Sequence, residues 1–261
     1  MNTQGRTALI TGASSGIGKA LAENFARDGY SVILSARSVE KLEALAVDLQ
    51  RRYGAGALVI SADLEVAGGA ERLHAEIASR GIKLCALANN AGYGAFGEFQ
   101  NTSLATELTM MQINMQAVVV LTKLFLPDLL ANRGKIINTA STAAFQPGPY
   151  MAVYYATKAF VLSFSEALAE ELTGTGVTVT AFCPGPTASG FQAKARVEES
   201  GLVKGRSLPP ADKVAAAGYR AMQRGRRVYI HGAGNWLLAE SVRFMPRTLT
   251  TRFVKMISKP V

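Results

Sequence analysis

The chain has few of the residues that staple or metallate a protein: its 261 residues include two cysteines, two histidines and one tryptophan. Cys85 and Cys183 lie in separate short apolar runs that read as buried strands, which excludes a disulfide framework. His74 and His231 stand far apart with no cysteine beside them, so a His/Cys metal centre is not expected and each reads as a core or surface residue. The opening MNTQGRTALITG has one Arg and a very short apolar stretch, unlike a secretory signal. No apolar run is read as approaching the roughly 18 residues of a spanning helix. A cytoplasmic, soluble chain is the expectation. There is no internal repeat and no linker rich in Pro, Gly or Ser.

What is present suits a globular core: 49% of residues are hydrophobic and 18% charged, which excludes a disordered chain. The net charge of +9 is unevenly placed. From Arg220 to Val261 there are nine Lys or Arg and one acid, Glu240, so the last 42 residues carry +8 and the other 219 about +1. A near-neutral body argues against nucleic acid as a partner and assigns the basic end a local role.

Along the chain, short Val/Ile/Leu-rich runs alternate with helical patterns. Strands are expected at Thr7–Thr11, Ser31–Ser35, Ala57–Ala62, Leu84–Ala88, Lys135–Ala140, Thr178–Cys183 and Arg227–Ile230. Helices are expected at about 16–28, 39–52, 69–80, 103–132, 153–173 and 211–224. Nearly continuous apolar strands are covered on both faces, and their alternation with helices implies right-handed crossovers. The expected fold class is α/β: one doubly wound, Rossmann-type domain over residues 1–235, with a seven-stranded, mainly parallel sheet and helices on both faces. Residues 236–261 form a basic amphipathic extension. In this architecture ligands bind beyond the carboxyl ends of the strands, so chemistry is sought in the residues that follow each strand.

The first strand runs into Thr11-Gly12-Ala13-Ser14-Ser15-Gly16-Ile17-Gly18 and then a helix. Glycines at 12, 16 and 18 permit a tight turn and close approach of backbone to a phosphate, and the helix N-terminus offers free N–H groups to a pyrophosphate. Four further signatures follow in order: Asn89-Asn90-Ala91-Gly92, Ser141, Tyr154-x-x-x-Lys158 and Pro184-Gly185, each after a strand or opening a helix.

With these five elements the chain resembles the short-chain dehydrogenase/reductase family over about residues 1–230. The resemblance implies a nicotinamide cofactor held by Gly12, Ser14, Ser15, Gly16, Ile17 and Gly18. It also implies Asp63 and Leu64 at the adenine, Asn90, Ala91 and Gly92 at the ribose, and Pro184, Gly185 and Thr187 at the nicotinamide. Thr187 stands in Pro186-Thr187-Ala188-Ser189, where the family often has Val or Ile and then Thr, so its register differs. The end of strand two chooses the cofactor. An acid there would repel a 2′-phosphate, whereas Ser35-Ala36-Arg37 offers a guanidinium, which points to NADP(H). Glu40 is better placed in the first turn of the next helix.

Tyr154 and Lys158 stand one helical turn apart, so the lysine charge favours a phenolate, whereas Tyr155 has Ala159 at that spacing and reads as packing. The resemblance implies that Tyr154 is the general acid, Ser141 holds the substrate oxygen, Lys158 grips the ribose and Asn114 keeps a water that relays protons. Tyr93, Phe96, Phe145, Met151 and Phe191 are expected to face a small apolar carbonyl or alcohol substrate, with Ser189–Pro210 as a lid. In the basic end, Leu249, Phe253, Met256 and Ile257 share one helical face and Thr248, Arg252, Lys255 and Lys259 another. That pairing suits an acidic membrane surface, or packing on the domain or a second subunit. Family members often pair through the helices at 103–132 and 153–173, so a homo-oligomer is expected. Two rivals stand beside NADPH-dependent carbonyl reduction: a non-catalytic nucleotide-binding scaffold, and NAD-dependent oxidation of an alcohol or hydroxysteroid.

Overall fold

In the computed structural model, which describes residues 6–195, 200–201, 205 and 207–259, the apolar runs align in one sheet. The strands are β1 (Thr7–Thr11), β2 (Ser31–Ala36), β3 (Ala57–Ser61), β4 (Ala86–Asn89), β5 (Lys135–Thr139), β6 (Thr178–Cys183) and β7 (Val228–Ile230). Their spatial order is β3-β2-β1-β4-β5-β6-β7, and all six neighbouring pairs are parallel. The helices are α1 (Gly16–Arg27), α2 (Val39–Tyr53), α3 (Gly69–Ser79), α4 (Leu104–Met111), α5 (Ala117–Ala131), α6 (Ala152–Glu171), α7 (Phe191–Ala195), α8 (Ala211–Gln223), α9 (Ala233–Ser241) and α10 (Arg247–Ser258).

Strand alternation divides the core into two layers. Leu9, Ile33, Leu87 and Ile136 point to one face, where they meet residues such as Ile77 of α3 and Phe125 of α5. Ala8, Ile10, Leu34 and Ala88 point to the other, against Phe25 of α1, Leu42 of α2 and Tyr219 of α8. The chain winds from β1 outward to β3, then returns to place β4 on the other side of β1, with Ile10 opposite Ala88. Loops leaving β1 and β4 therefore diverge, and a crevice opens at that switch point.

Three sequence expectations need correction. Strand β4 begins at Ala86 instead of Leu84, so half-buried Cys85 precedes it, while buried Cys183 ends β6; both thiols are free. The predicted helix 103–132 contains a π turn at Gln112–Gln116 between α4 and α5, which buries Ile113 and Asn114. A π turn adds a residue to the local repeat, and a 3.6-residue pattern does not reveal it. Finally, Leu104–Ala131 is long and apolar enough to cross a membrane by composition, contrary to the expectation that no segment would be. Its isolated polar residues interrupt the apolar run without lowering the mean enough, and 44% of its most apolar window is buried in the protein.

The last helix also differs from expectation. Thr250, Val254 and Ser258 of α10 are the buried positions, and Leu249, Phe253 and Met256 are exposed. Three residues of the predicted apolar stripe thus point outward while the fourth, Ile257, lines a cleft on the domain, and a narrow stripe of Thr250, Val254 and Ser258 packs inward.

Candidate active site

The turn from β1 into α1 depends on glycine. Gly12 and Gly16 have φ of +68° and +54°, a region that favours glycine. A Cβ on Gly18 would lie 2.2 Å from the Gly12 carbonyl oxygen. Ser15, at the N-cap of α1, makes no side-chain cap bond, leaving the helix N-terminus open to an anion. Thr11 Oγ1 accepts from the Asn90 and Ala91 N–H groups, both at 3.0 Å, and Asn90 Nδ2 donates to the Thr11 carbonyl at 3.0 Å. These bonds fix the two diverging strand ends against each other.

Beyond these ends lies a cleft of about 640 Å3. Gly12, Ser14, Ser15, Gly16, Ile17, Gly18, Arg37, Asp63, Leu64, Asn90, Ala91, Gly92, Ser141, Tyr154, Lys158, Pro184, Gly185 and Thr187 all line it. Asn114 does not, and lies behind the wall. Its Nδ2 donates to the Tyr93 carbonyl at 2.9 Å and to Thr157 Oγ1 at 3.0 Å, while its Oδ1 accepts from the Tyr93 N–H at 3.1 Å. Asn114 thereby joins the segment after β4 to the α6 turn that carries Lys158.

At the reacting end, Ser141 follows β5 and caps a short 3-10 turn, its Oγ accepting from the Ala143 N–H at 3.1 Å. Ser141 Oγ also donates to the Pro184 carbonyl at 3.4 Å, and Ser141 and Tyr154 line the cleft together. Lys158 Nζ donates to the Thr139 carbonyl at 2.8 Å and stands 5.8 Å from the centre of the Tyr154 ring. The Phe191 ring, in α7, stands 5.5 Å from that of Tyr154. Of the predicted lid, residues 196–199, 202–204 and 206 lie outside the described residues. Among the predicted substrate-facing residues, Tyr93, Met151 and Phe191 line the cleft, whereas Phe96 and Phe145 do not. Phe96 packs beside Tyr150, and Phe145 joins a small core cluster with Val161 and Cys183.

The sequence model for short chain dehydrogenases matches residues 6–200, about three quarters of the chain. The chain belongs to the short-chain dehydrogenase family. This short-chain dehydrogenase is 36% identical over 189 residues to the uncharacterized oxidoreductase YvaG of Bacillus subtilis, covering 72% of the chain and 70% of that relative. It is 34% identical to a very-long-chain 3-oxoacyl-CoA reductase-B of Danio rerio, covering 69% of the chain but only 59% of that relative's length. A short-chain dehydrogenase from Sphingobium yanoikuyae, solved in complex with NADPH, superposes with a TM-score of 0.81 at 30% identity, over 92% of this chain and 93% of that one.

The electrostatics of this dehydrogenase's site are dominated by burial. Burial pushes the Tyr154 phenol above its ordinary range, and the neighbouring Ser141 side chain opposes that rise. The i, i+4 spacing of Tyr154 and Lys158 implies a lowered phenol, but desolvation is the larger influence in the folded site. Burial also pushes the Lys158 ammonium down to about 8. Tyr155 both packs and lines the cleft, and burial pushes its phenol up to about 12.

Several lining residues escaped the sequence reading. Ser38 and Lys41 lie beside Arg37 on the cleft, and Lys41's signal was its place in the first turn of a helix at a strand end. Glu65 lines the same corner, and Arg37 Nη1 is 2.9 Å from its Oε2. Leu238, Ala239 and Ile257 of α9 and α10 close the far side, contributed by a region where the family resemblance offered no guide.

Proposed function

We propose that this NADP(H)-dependent oxidoreductase reduces an apolar ketone or a 3-oxoacyl-like carbonyl to the alcohol, with Tyr154 as general acid. The observation that supports the reading is the convergence of Tyr154, Ser141 and Lys158 on one partly apolar cleft, with Lys158 Nζ held by the Thr139 carbonyl and 5.8 Å from the centre of the Tyr154 ring. Burial keeps the phenol protonated at pH 7, and the Lys158 charge beside it favours the phenolate that proton transfer leaves.

The residues present fit the cofactor. A Cβ at Gly18 would fill the turn that approaches the pyrophosphate, and the α1 N-terminus is open to an anion. Arg37, with Ser38 and Lys41 beside it, would hold the 2′-phosphate. Asp63 and Leu64 would meet the adenine, and Asn90, Ala91 and Gly92 the adjoining ribose. Tyr154, Lys158, Pro184, Gly185 and Thr187 would flank the nicotinamide end. When bound, the reduced cofactor supplies the hydride that forms the new C–H bond.

The chain's own residues manage the oxygen. Ser141 donates to the substrate oxygen and fixes its position. Tyr154 Oη transfers its proton to that oxygen as the C=O bond becomes C–O, so the product leaves as a neutral alcohol. Lys158, held by the Thr139 carbonyl, stabilises the phenolate that remains. Asn114 keeps the Tyr93 segment and α6 in register, and its Oδ1 retains a lone pair for a water on the path that reprotonates the site.

The 3-oxoacyl-CoA reductase likeness and the Met151, Phe191 and Ile257 lining support an apolar substrate. A cytoplasmic homo-oligomer belongs to the same reading: Leu104, Leu108, Met111 and Leu130 are exposed on α4 and α5. The test is NADPH oxidation by the full chain across long-chain ketones, cyclic ketones and sugars. Apolar ketones are turned over and sugars are not. Tyr154→Phe lowers kcat by about 10²–10⁴-fold while NADPH binding survives; near-normal turnover in that variant overturns the assignment.

A further inference from the structure

Helices α9 and α10 have two functional sides. On the inner side, Leu238, Ala239 and Ile257 line the cleft. The described end of the lid is tied to α10 as well: the Gly201 N–H donates to the Lys259 carbonyl at 3.1 Å, and Ser200 Oγ donates to the Ser258 carbonyl at 3.2 Å.

On the outer side, Arg243 to Leu249 is exposed without interruption, and Phe244 is 89% exposed. Trp236 and Leu237 on α9, and Leu249, Phe253 and Met256 on α10, are exposed large apolar residues, and Leu238, exposed yet lining the cleft, stands at the rim between the two sides. Helical spacing in α10 sets Leu249, Phe253 and Met256 side by side, with Arg252, Lys255 and Lys259 along their flank and buried Thr250, Val254 and Ser258 opposite. One half of the outer face is therefore apolar and the other cationic.

We propose that this outer face docks on an anionic lipid bilayer, and that the apolar substrate enters the cleft from that side, past Leu238 and Ile257. The second clause rests on the carbonyl reading above, and the docking surface does not. Apolar side chains enter the acyl boundary while the flanking cations meet acidic headgroups. Exposed large apolar residues gathered on two successive helices mark an interaction surface. A second copy is the poorer occupant, because two such faces would oppose positive charge to positive charge across an apolar contact. Nucleic acid would leave the apolar half unused.

The full chain is sedimented with phosphatidylcholine vesicles with and without phosphatidylglycerol, at low and high salt. The wild type partitions onto the anionic vesicles, and salt weakens that partition. Phe253→Ser with Met256→Ser, and separately Arg252→Ser with Lys255→Ser, each reduce the partition by about tenfold or more. NADPH titration and size-exclusion chromatography show whether each variant is folded and how many subunits it has. Absence of partition in the wild type overturns the proposal without recourse to a variant. So does undiminished partition in both folded double variants, or a change in subunit number in place of a change in partition. Anionic vesicles also lower the KM for a long-chain ketone while leaving a small water-soluble ketone unaffected. If the vesicles bind but no ketone is reduced, the docking surface stands and the substrate reading falls.

Discussion

Arg37 Nη1 lies 2.9 Å from Glu65 Oε2, so the guanidinium that faces the cofactor cleft is held by a carboxylate from the neighbouring strand end. Arg37 follows β2 and Glu65 follows β3, and the parallel pairing of those strands brings the two together. A 2′-phosphate at this corner shares or replaces the Glu65 contact. Arg37→Ala therefore weakens NADPH binding by about ten- to a hundredfold, the range of a charge-assisted hydrogen bond, with little change for NADH. Glu65→Gln tightens NADPH several-fold by removing the competing negative charge. Fluorescence titration with both cofactors reads each effect, and equal losses for NADPH and NADH in Arg37→Ala would contradict the phosphate assignment.

Gly18→Ala tests the turn independently of chemistry. Its Cβ would lie 2.2 Å from the Gly12 carbonyl and 2.4 Å from Asn90 Nδ2. The backbone must shift, at a cost of about 1–3 kcal/mol, and the pyrophosphate site shifts with it. Both the melting temperature and NADPH affinity fall; unchanged affinity would show that the turn does not meet the cofactor.

Asn114→Ala removes the bonds to the Tyr93 N–H and carbonyl and the one to Thr157 Oγ1, which keeps its own bond to the Tyr154 carbonyl. Three buried hydrogen bonds are lost at about 0.5–1.5 kcal/mol each, so urea unfolding shows a loss of about 2–4 kcal/mol. A residue serving only a proton relay would lose turnover and keep its stability, and the two readouts separate these roles.

Lys158 gives a pH dependence with a definite sign. Its buried ammonium titrates near 8, against an ordinary 10.5, so between these values the unfolded chain binds more protons than the native one. Stability conferred by this group therefore rises with pH from about 8 to 10.5, having been lowest below 8. Above pH 10 the trend reverses, because unfolded phenols ionise while buried Tyr154 keeps its proton. Denaturation of wild type against Lys158→Met shows the wild type gaining on the order of 2 kcal/mol relative to the variant between pH 8 and 10. A flat difference across that range would remove the buried ammonium from the account.

The sheet and most of the site were legible because their signals are local. A strand buried on both faces has to be almost wholly apolar, and a turn that admits a phosphate has to be nearly free of Cβ atoms. Tyr154 and Lys158 share a helical face by spacing alone. Features that join distant segments were not legible in this way. Glu65 became Arg37's partner only when β2 paired with β3, and Asn114 turned toward Tyr93 only through a π turn that hydrophobic periodicity does not register.

The basic end shows the same division most plainly. Helical period and residue chemistry suffice to give α10 an apolar stripe and a cationic one. Tertiary packing decided which side meets the domain. Thr250, Val254 and Ser258 are small enough to let the helix approach closely, so they are buried, and Leu249, Phe253 and Met256 face outward. It also brought Leu238 and Ile257 to a cleft built at the ends of strands, the first of which begins more than two hundred residues earlier, because a parallel sheet gathers the carboxyl ends of all its strands on one edge.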